Sequence, residues 1–175
     1  MRRASSTVWP TRRWRLIFLA FAFVASSTAL GATLQPKLLE QLIDDADVIV
    51  RGTVQAVTSG PRVEGAPGTT VVLAVHEQWK GSRLSTLRLV QPGGSEGGLT
   101  HAVPGLPTFR VGEEVILFLE GEGRAQYSIL GGKQGKFSIQ TDPRSGKRVI
   151  EDLTGARSDL TQFLARLGAP AKAGP

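Results

Sequence analysis

The sequence predicts a mainly β domain, a small antiparallel barrel with a short helix before it and a second helix after it. Three observations lead there. Apolar and polar residues alternate over short stretches, Gly- and Pro-rich turn chemistry separates those stretches, and helical spacing of apolar residues occurs near the two ends of the body. A length of 175 residues allows one domain plus a leader, and 41% apolar residues argues against wholesale disorder. Five or more strands are too few for two full sheets, so a barrel is the reading preferred to a sandwich.

The leader comes first. Residues 1–31 read as a secretory signal peptide: five basic residues (Arg2, Arg3, Arg12, Arg13, Arg15), an apolar run over residues 16–25, then small residues. Ala29 and Gly31 suit a cut before Ala32, and Ser27 with Ala29 would serve for a cut before Leu30. The alternative is a retained anchor, but a spanning helix needs about 20 apolar residues and this run has half that. A twin-arginine signal is a weaker option, because Arg15 stands where an apolar residue is usual. The leader also explains the charge. The chain carries a formal +6, and without those five arginines 16 basic residues face 15 acidic ones. A nearly neutral body has no field to gather polyphosphate, so nucleic acid is not an expected partner. With no Cys, disulfide scaffolds, Cys-ligated zinc and Cys-anchored lipidation are excluded.

The body then reads as a single domain over residues 32–168. Residues 36–45 form an amphipathic helix, with Pro36 in its first turn and Leu38, Leu39, Leu42 and Ile43 on one face. Residues 47–57 switch to period two, and Gly52 in the middle marks a bend or bulge. Residues 59–68 are a loop by composition. Strands follow at 69–78 and 84–90, then 20 residues of mostly turn chemistry at 91–110, a length that usually signals function or mobility. Residues 114–119 (EVILFL) are nearly all apolar, which marks a central strand. Strands are expected again at 126–130, 136–140 and 147–150. A helix follows over 159–167, with Ser158 as N-cap and Gly168 as its stop, and residues 169–175 are expected to be a disordered tail.

Chemistry-bearing residues are sparse. His76 and His101 have no other His at metal-ligand spacing, and they read as an exposed strand histidine and a loop histidine. Ser95 lies between glycines but not in a strand-to-helix nucleophile elbow. Asp44, Asp45 and Asp47 fall where a helix gives way to a strand, which suits helix termination and solvation better than acid–base work. The glycine runs at 93–98 and 131–135 lack the phosphate-cradling spacing and read as turns. No catalytic residue, cofactor or metal site is therefore expected. The long loop is the best interaction candidate: Val103, Pro104, Leu106, Pro107 and Phe109 are stiff and apolar, suited to holding a protein. Its structural alternative is a plug for one end of the barrel, with Phe109 buried.

The ordered set Ala46-Asp47-Val48-Ile49-Val50-Arg51-Gly52-x-Val54, Trp79-Lys80-Gly81, Gly93-Gly94, Val103-Pro104-Gly105-x-Pro107-x-Phe109-x-x-Gly112-Glu113, Leu117-Phe118-Leu119 and Gln134-Gly135-Lys136-Phe137 resembles a family of small exported bacterial proteins of unknown function. The opening strand is also distantly similar to that of netrin-like domains and tissue inhibitors of metalloproteinases. That resemblance implies an OB-like barrel. The inhibitors insert an N-terminal Cys into a protease metal site, and this Cys-free chain does not carry that mechanism.

Together these readings describe an exported, non-catalytic OB-like domain, periplasmic or extracellular, that binds a secreted or envelope protein and keeps no membrane span after cleavage. Two alternatives stand beside it: a metal-assisted or serine hydrolase using His76 or His101, and a structural envelope protein that self-associates through a barrel edge.

Overall fold

The computed structural model describes residues 37–63, 65–97, 99–121 and 126–171, so residues 1–36, which include the expected leader (1–31), and the last four residues lie outside the described part. In chain order it contains α1 (Leu39–Asp45), β1 (Val48–Val63), β2 (Ala66–Lys80), β3 (Thr86–Pro92), β4 (Gly94–Glu96), β5 (Leu99–His101), β6 (Glu114–Glu120) and β7 (Ser128–Ile129). A 3-10 turn (Gly132–Gly135) leads to β8 (Lys136–Thr141), β9 (Arg148–Glu151), β10 (Arg157–Asp159) and α2 (Leu160–Leu167). Eight strands make one sheet in the order β10-β9-β8-β6-β1-β2-β3, with β7 also on β6, and β4 pairs β5 separately. The named pairs are antiparallel.

The apolar run in β6 explains the layering. Residues 115–119 are all buried, and their side chains alternate between two cores. On one face Ile116 and Phe118 join Leu42, Ile49, Ile139, Ile150, Leu160 and Phe163, so both helices pack there. On the other face Val115, Leu117 and Leu119 join Val48, Val50, Val54, Val71, Leu73, Leu87 and Leu89. The expected alternation in β1 therefore holds only in part. Ile49 is buried as fully as its neighbours, because the helical layer covers the face that would otherwise be solvated. Phe137 bridges the helical core, 5.6 Å from the Phe118 ring and 5.0 Å from the Phe163 ring, centre to centre.

Several expectations need correction. Most of the stretch 59–68 is strand and not loop: β1 runs to Val63 and β2 starts at Ala66, as a ribbon pairing Ser59 with Thr69 and Gly60 with Gly68. Composition misled because Gly and Pro are tolerated here for local reasons. Pro61 falls in the register irregularity between Gly60 and Val63, and a Cβ on Gly68 would stand 1.9 Å from the Pro61 carbonyl oxygen. The N-cap of α2 is Asp159, one residue later than expected, and its side chain accepts from the Gln162 N–H at 3.1 Å. Short β10 precedes it, paired with β9, and the hairpin β4–β5 occupies part of the expected loop. The start of the tail is docked, with the Ala171 N–H donating to the Gln78 carbonyl at 2.7 Å. Pro36 lies outside the described residues, and α1 begins at Leu39 behind Leu38. Among the described residues the ladder is an open path from β10 to β3 with no closed barrel, contrary to the expected barrel; beside it stands an isolated parallel bridge, Leu89 with Tyr127.

Gly52 marks a bulge as expected, with the β1–β2 register shifting between Arg51 and Gly52. A Cβ there would meet the Ala74 carbonyl oxygen at 2.1 Å and Leu73 Cγ at 2.9 Å. Gly52→Ala is expected to destabilise the domain by about 1–3 kcal/mol in denaturant titration. Gly155→Ala, with φ +80° but open space around it, is the control: about 1 kcal/mol of backbone strain and no clash.

Candidate functional site

The segment 102–113 links β5 to β6, and its backbone is tied down at several points. Leu106 N–H donates to the Val103 carbonyl at 3.3 Å, and Lys133 N–H to the Gly105 carbonyl at 2.8 Å. The Gln91 amide donates to the Pro107 carbonyl at 2.8 Å. Gly132 is required at the crossing, since a Cβ there would stand 2.3 Å from the Gly105 oxygen. Lys136 completes the attachment. Its ammonium donates to the Thr108 carbonyl and to Glu113 Oε1, both at 2.6 Å, and lies 4.8 Å from the centre of the Phe109 ring.

The five loop residues singled out by sequence divide accordingly. Pro107 is buried, and Phe109 is half-buried against the core that holds Leu87 and Leu117. Pro104 is exposed, while Val103 and Leu106 are half-buried. The segment thus packs Pro107 and Phe109 inward and leaves a ledge of Val103, Pro104 and Leu106 that is exposed at Pro104 and half-buried on either side of it. Val111, 66% exposed, extends the apolar surface along the chain.

At Arg110 and Gly112 the segment borders a polar cleft of about 510 Å³ between the start of β6 and the end of β8. Arg110, Glu113, Glu114, Ser138, Gln140, Thr141 and Arg148 line it. Beneath it, Arg51 reaches from β1 to Glu114 at 2.7 Å and to Glu77 at 3.1 Å, and Arg148 pairs with the other Glu114 oxygen. Burial works against the charge on Glu114. The bonds and charges of Arg51 and Arg148 more than offset it and hold the carboxyl below its ordinary value. Glu113 is similarly engaged: Ser138 and Lys136 donate to Oε1, at 2.7 and 2.6 Å, and the Arg110 N–H donates to Oε2 at 3.1 Å.

The other sequence candidates sit apart from this cluster. His76 is exposed on β2 and shares a 2.9 Å bond with Thr53, whereas His101 is on β5 opposite Gly94. Ser95 bonds Thr100 across β4 and β5 at 2.9 Å. Asp45 pairs with Lys37 at 2.7 Å, and Asp47 Oδ2 accepts from the Gly121 N–H at 2.7 Å. Asp45 and Asp47 are thus each engaged by a neighbour, Lys37 and the Gly121 N–H.

Sequence reading missed the cleft. Its trace in the sequence is a long cation, Arg51, within the apolar opening of β1, and two adjacent carboxylates opening another strand; neither shows the partner without the register. No family model, curated protein or solved structure matches this chain.

The lowered Glu114 value fixes a pH dependence. A depressed carboxyl contributes stability in full above its unfolded pKa, here the ordinary 4.5, and loses that contribution as pH falls through the lower folded value. Glu114→Gln is therefore expected to lower stability at pH 7 and to flatten the acid limb below about pH 4.5. Denaturant titrations of both proteins between pH 3 and 7 check it, and parallel curves would contradict it.

Proposed function

We propose that this chain is an exported, non-catalytic domain of the envelope or secreted space that holds a protein partner on the ledge formed by Val103, Pro104 and Leu106. The observation that carries this reading is the fixed backbone beneath that ledge. An apolar surface whose loop is already ordered loses little conformational entropy on binding, which is the usual obstacle for loop-borne contacts. Three separate anchors, from Gln91, Lys133 and Lys136, supply that order.

The scaffold is read as OB-like. The Leu89–Tyr127 bridge and the β6–β7 pairing together would link β3 back to β6 around the apolar core of Val50, Leu73, Leu89 and Leu117. Export rests on the basic and apolar pattern of residues 1–31. No protease-inhibitor mechanism is attached to this reading, since the chain has no Cys.

The test is crosslinked capture from the exported compartment, comparing wild type with the Pro104→Ser, Leu106→Ser double variant. Expected is a defined protein partner on the wild type, reduced at least about ten-fold on the variant, with the melting temperature held within a few degrees. Unchanged capture with unchanged folding would end the ledge reading. Protein found in the cytoplasm with residues 1–31 still attached would end the export reading.

A further inference from the structure

The polar cleft carries a second inference, independent of the ledge. Its two carboxylates are occupied: the oxygens of Glu113 accept from Lys136, Ser138 and the Arg110 N–H, and those of Glu114 from Arg51 and Arg148. What the cleft offers a newcomer is therefore mainly donors. Among the described residues, no group accepts a hydrogen bond from the Arg110 guanidinium, although Arg110 lines the cleft and is exposed. A planar guanidinium with both edges free is suited to a two-pronged bond with a carboxylate.

The strand geometry adds a backbone element. β8 overruns β6: its pairing with β6 ends at Ile139 opposite Glu114, whereas Gln140 and Thr141 pair with β9 alone. Peptide groups alternate sides along a strand. The Asp142 N–H points toward β9, where it meets the Lys147 carbonyl at 2.8 Å, so the Thr141 N–H and C=O point the other way, to the side that β6 has vacated. There Gly112 has turned away, with its N–H bonded to the Val54 carbonyl at 2.8 Å. A short stretch of open strand edge thus lies beside an unpaired arginine.

We infer that this cleft binds an extended peptide segment bearing a carboxylate, which sits on Arg110 while the segment's backbone pairs with Thr141. The carboxylate is that of a chain terminus or of an acidic side chain. A peptide in this position extends the sheet by one local pairing in the place of β6, the usual mode of strand addition.

The test is an amide chemical-shift titration of the full protein with three acetylated tripeptides. These are Ala-Ala-Glu amide, Ala-Ala-Gln amide, and Ala-Ala-Ala with a free C-terminus; sodium acetate and sodium phosphate are added separately. Expected are shifts at Gly112, Gln140 and Thr141 with at least one of the two carboxylate peptides. The Gln peptide should bind about ten-fold more weakly or worse, and Arg110→Gln should lose a similar factor without a change in melting temperature. Whichever carboxylate peptide binds tighter identifies the source. The Pro104→Ser, Leu106→Ser variant should bind the peptides as wild type does, which separates this site from the ledge. Equal binding of the Gln peptide, full binding by Arg110→Gln, absence of shifts at these amides, or acetate or phosphate binding as tightly as the peptides would each overturn the inference.

Discussion

The rest of the structure depends on one strand being buried on both faces. In most antiparallel sheets a strand presents one face to a core and the other to water. β6 does not: Ile116 and Phe118 serve the helical core, and Val115, Leu117 and Leu119 serve the other. Each such side chain contributes about 1.5–3 kcal/mol when fully buried, and this strand places five of them in succession, shared between the two cores. It also fixes what lies at its two ends. Its N-terminal end sets the position of Glu113 and Glu114, and hence of the cleft; its C-terminal side meets Asp47, whose carboxylate accepts from the Gly121 N–H.

The helices that cover β6 are too short to be stable alone, at seven and eight residues. They are held from outside. Lys80 donates to the Ile43 and Asp44 carbonyls at the C-terminal end of α1, at 3.2 and 2.9 Å, and the Trp79 indole donates to the Gly168 carbonyl just past α2, at 3.0 Å. Gln134 accepts from the Lys37 N–H at 2.6 Å, ahead of α1. The Trp79-Lys80-Gly81 stretch is thus a clamp for both helices, and Gly81 is needed because a Cβ would stand 2.5 Å from Val48. The same economy applies to the run from Gln134 to Phe137. Gln134 anchors the first helix, Lys136 ties down the ledge, and Phe137 fills the helical core.

Much of this was legible in the sequence, and the remainder fails for identifiable reasons. Periodicity located both helices, the central strand and most strand centres, because those signals are local. The Gly- and Pro-rich stretch at 59–68 reads as a loop because composition is blind to a partner strand that tolerates it. The choice of Asp159 over Ser158 as cap turns on one residue of pairing between β10 and β9. At the candidate site the ledge was visible as a stiff apolar loop. Its anchors were not, since Lys133 and Lys136 come more than 20 residues later. The cleft was invisible for the same reason: Arg51, Glu114 and Arg148 come from three separate strands, and only the register joins them.

The most direct measurement of the central role of β6 is native-state hydrogen exchange across increasing denaturant. Expected is that amides of residues 115–119, with those of Ile49, Val50 and Phe137, exchange only through complete unfolding, so that they share one opening free energy. If the amides of Phe137 and Ile139 on β8, whose side chains join the helical core, opened as a separate unit while β1 and β2 stayed protected, the two cores would be independent. The strand between them would then not be what holds the domain together.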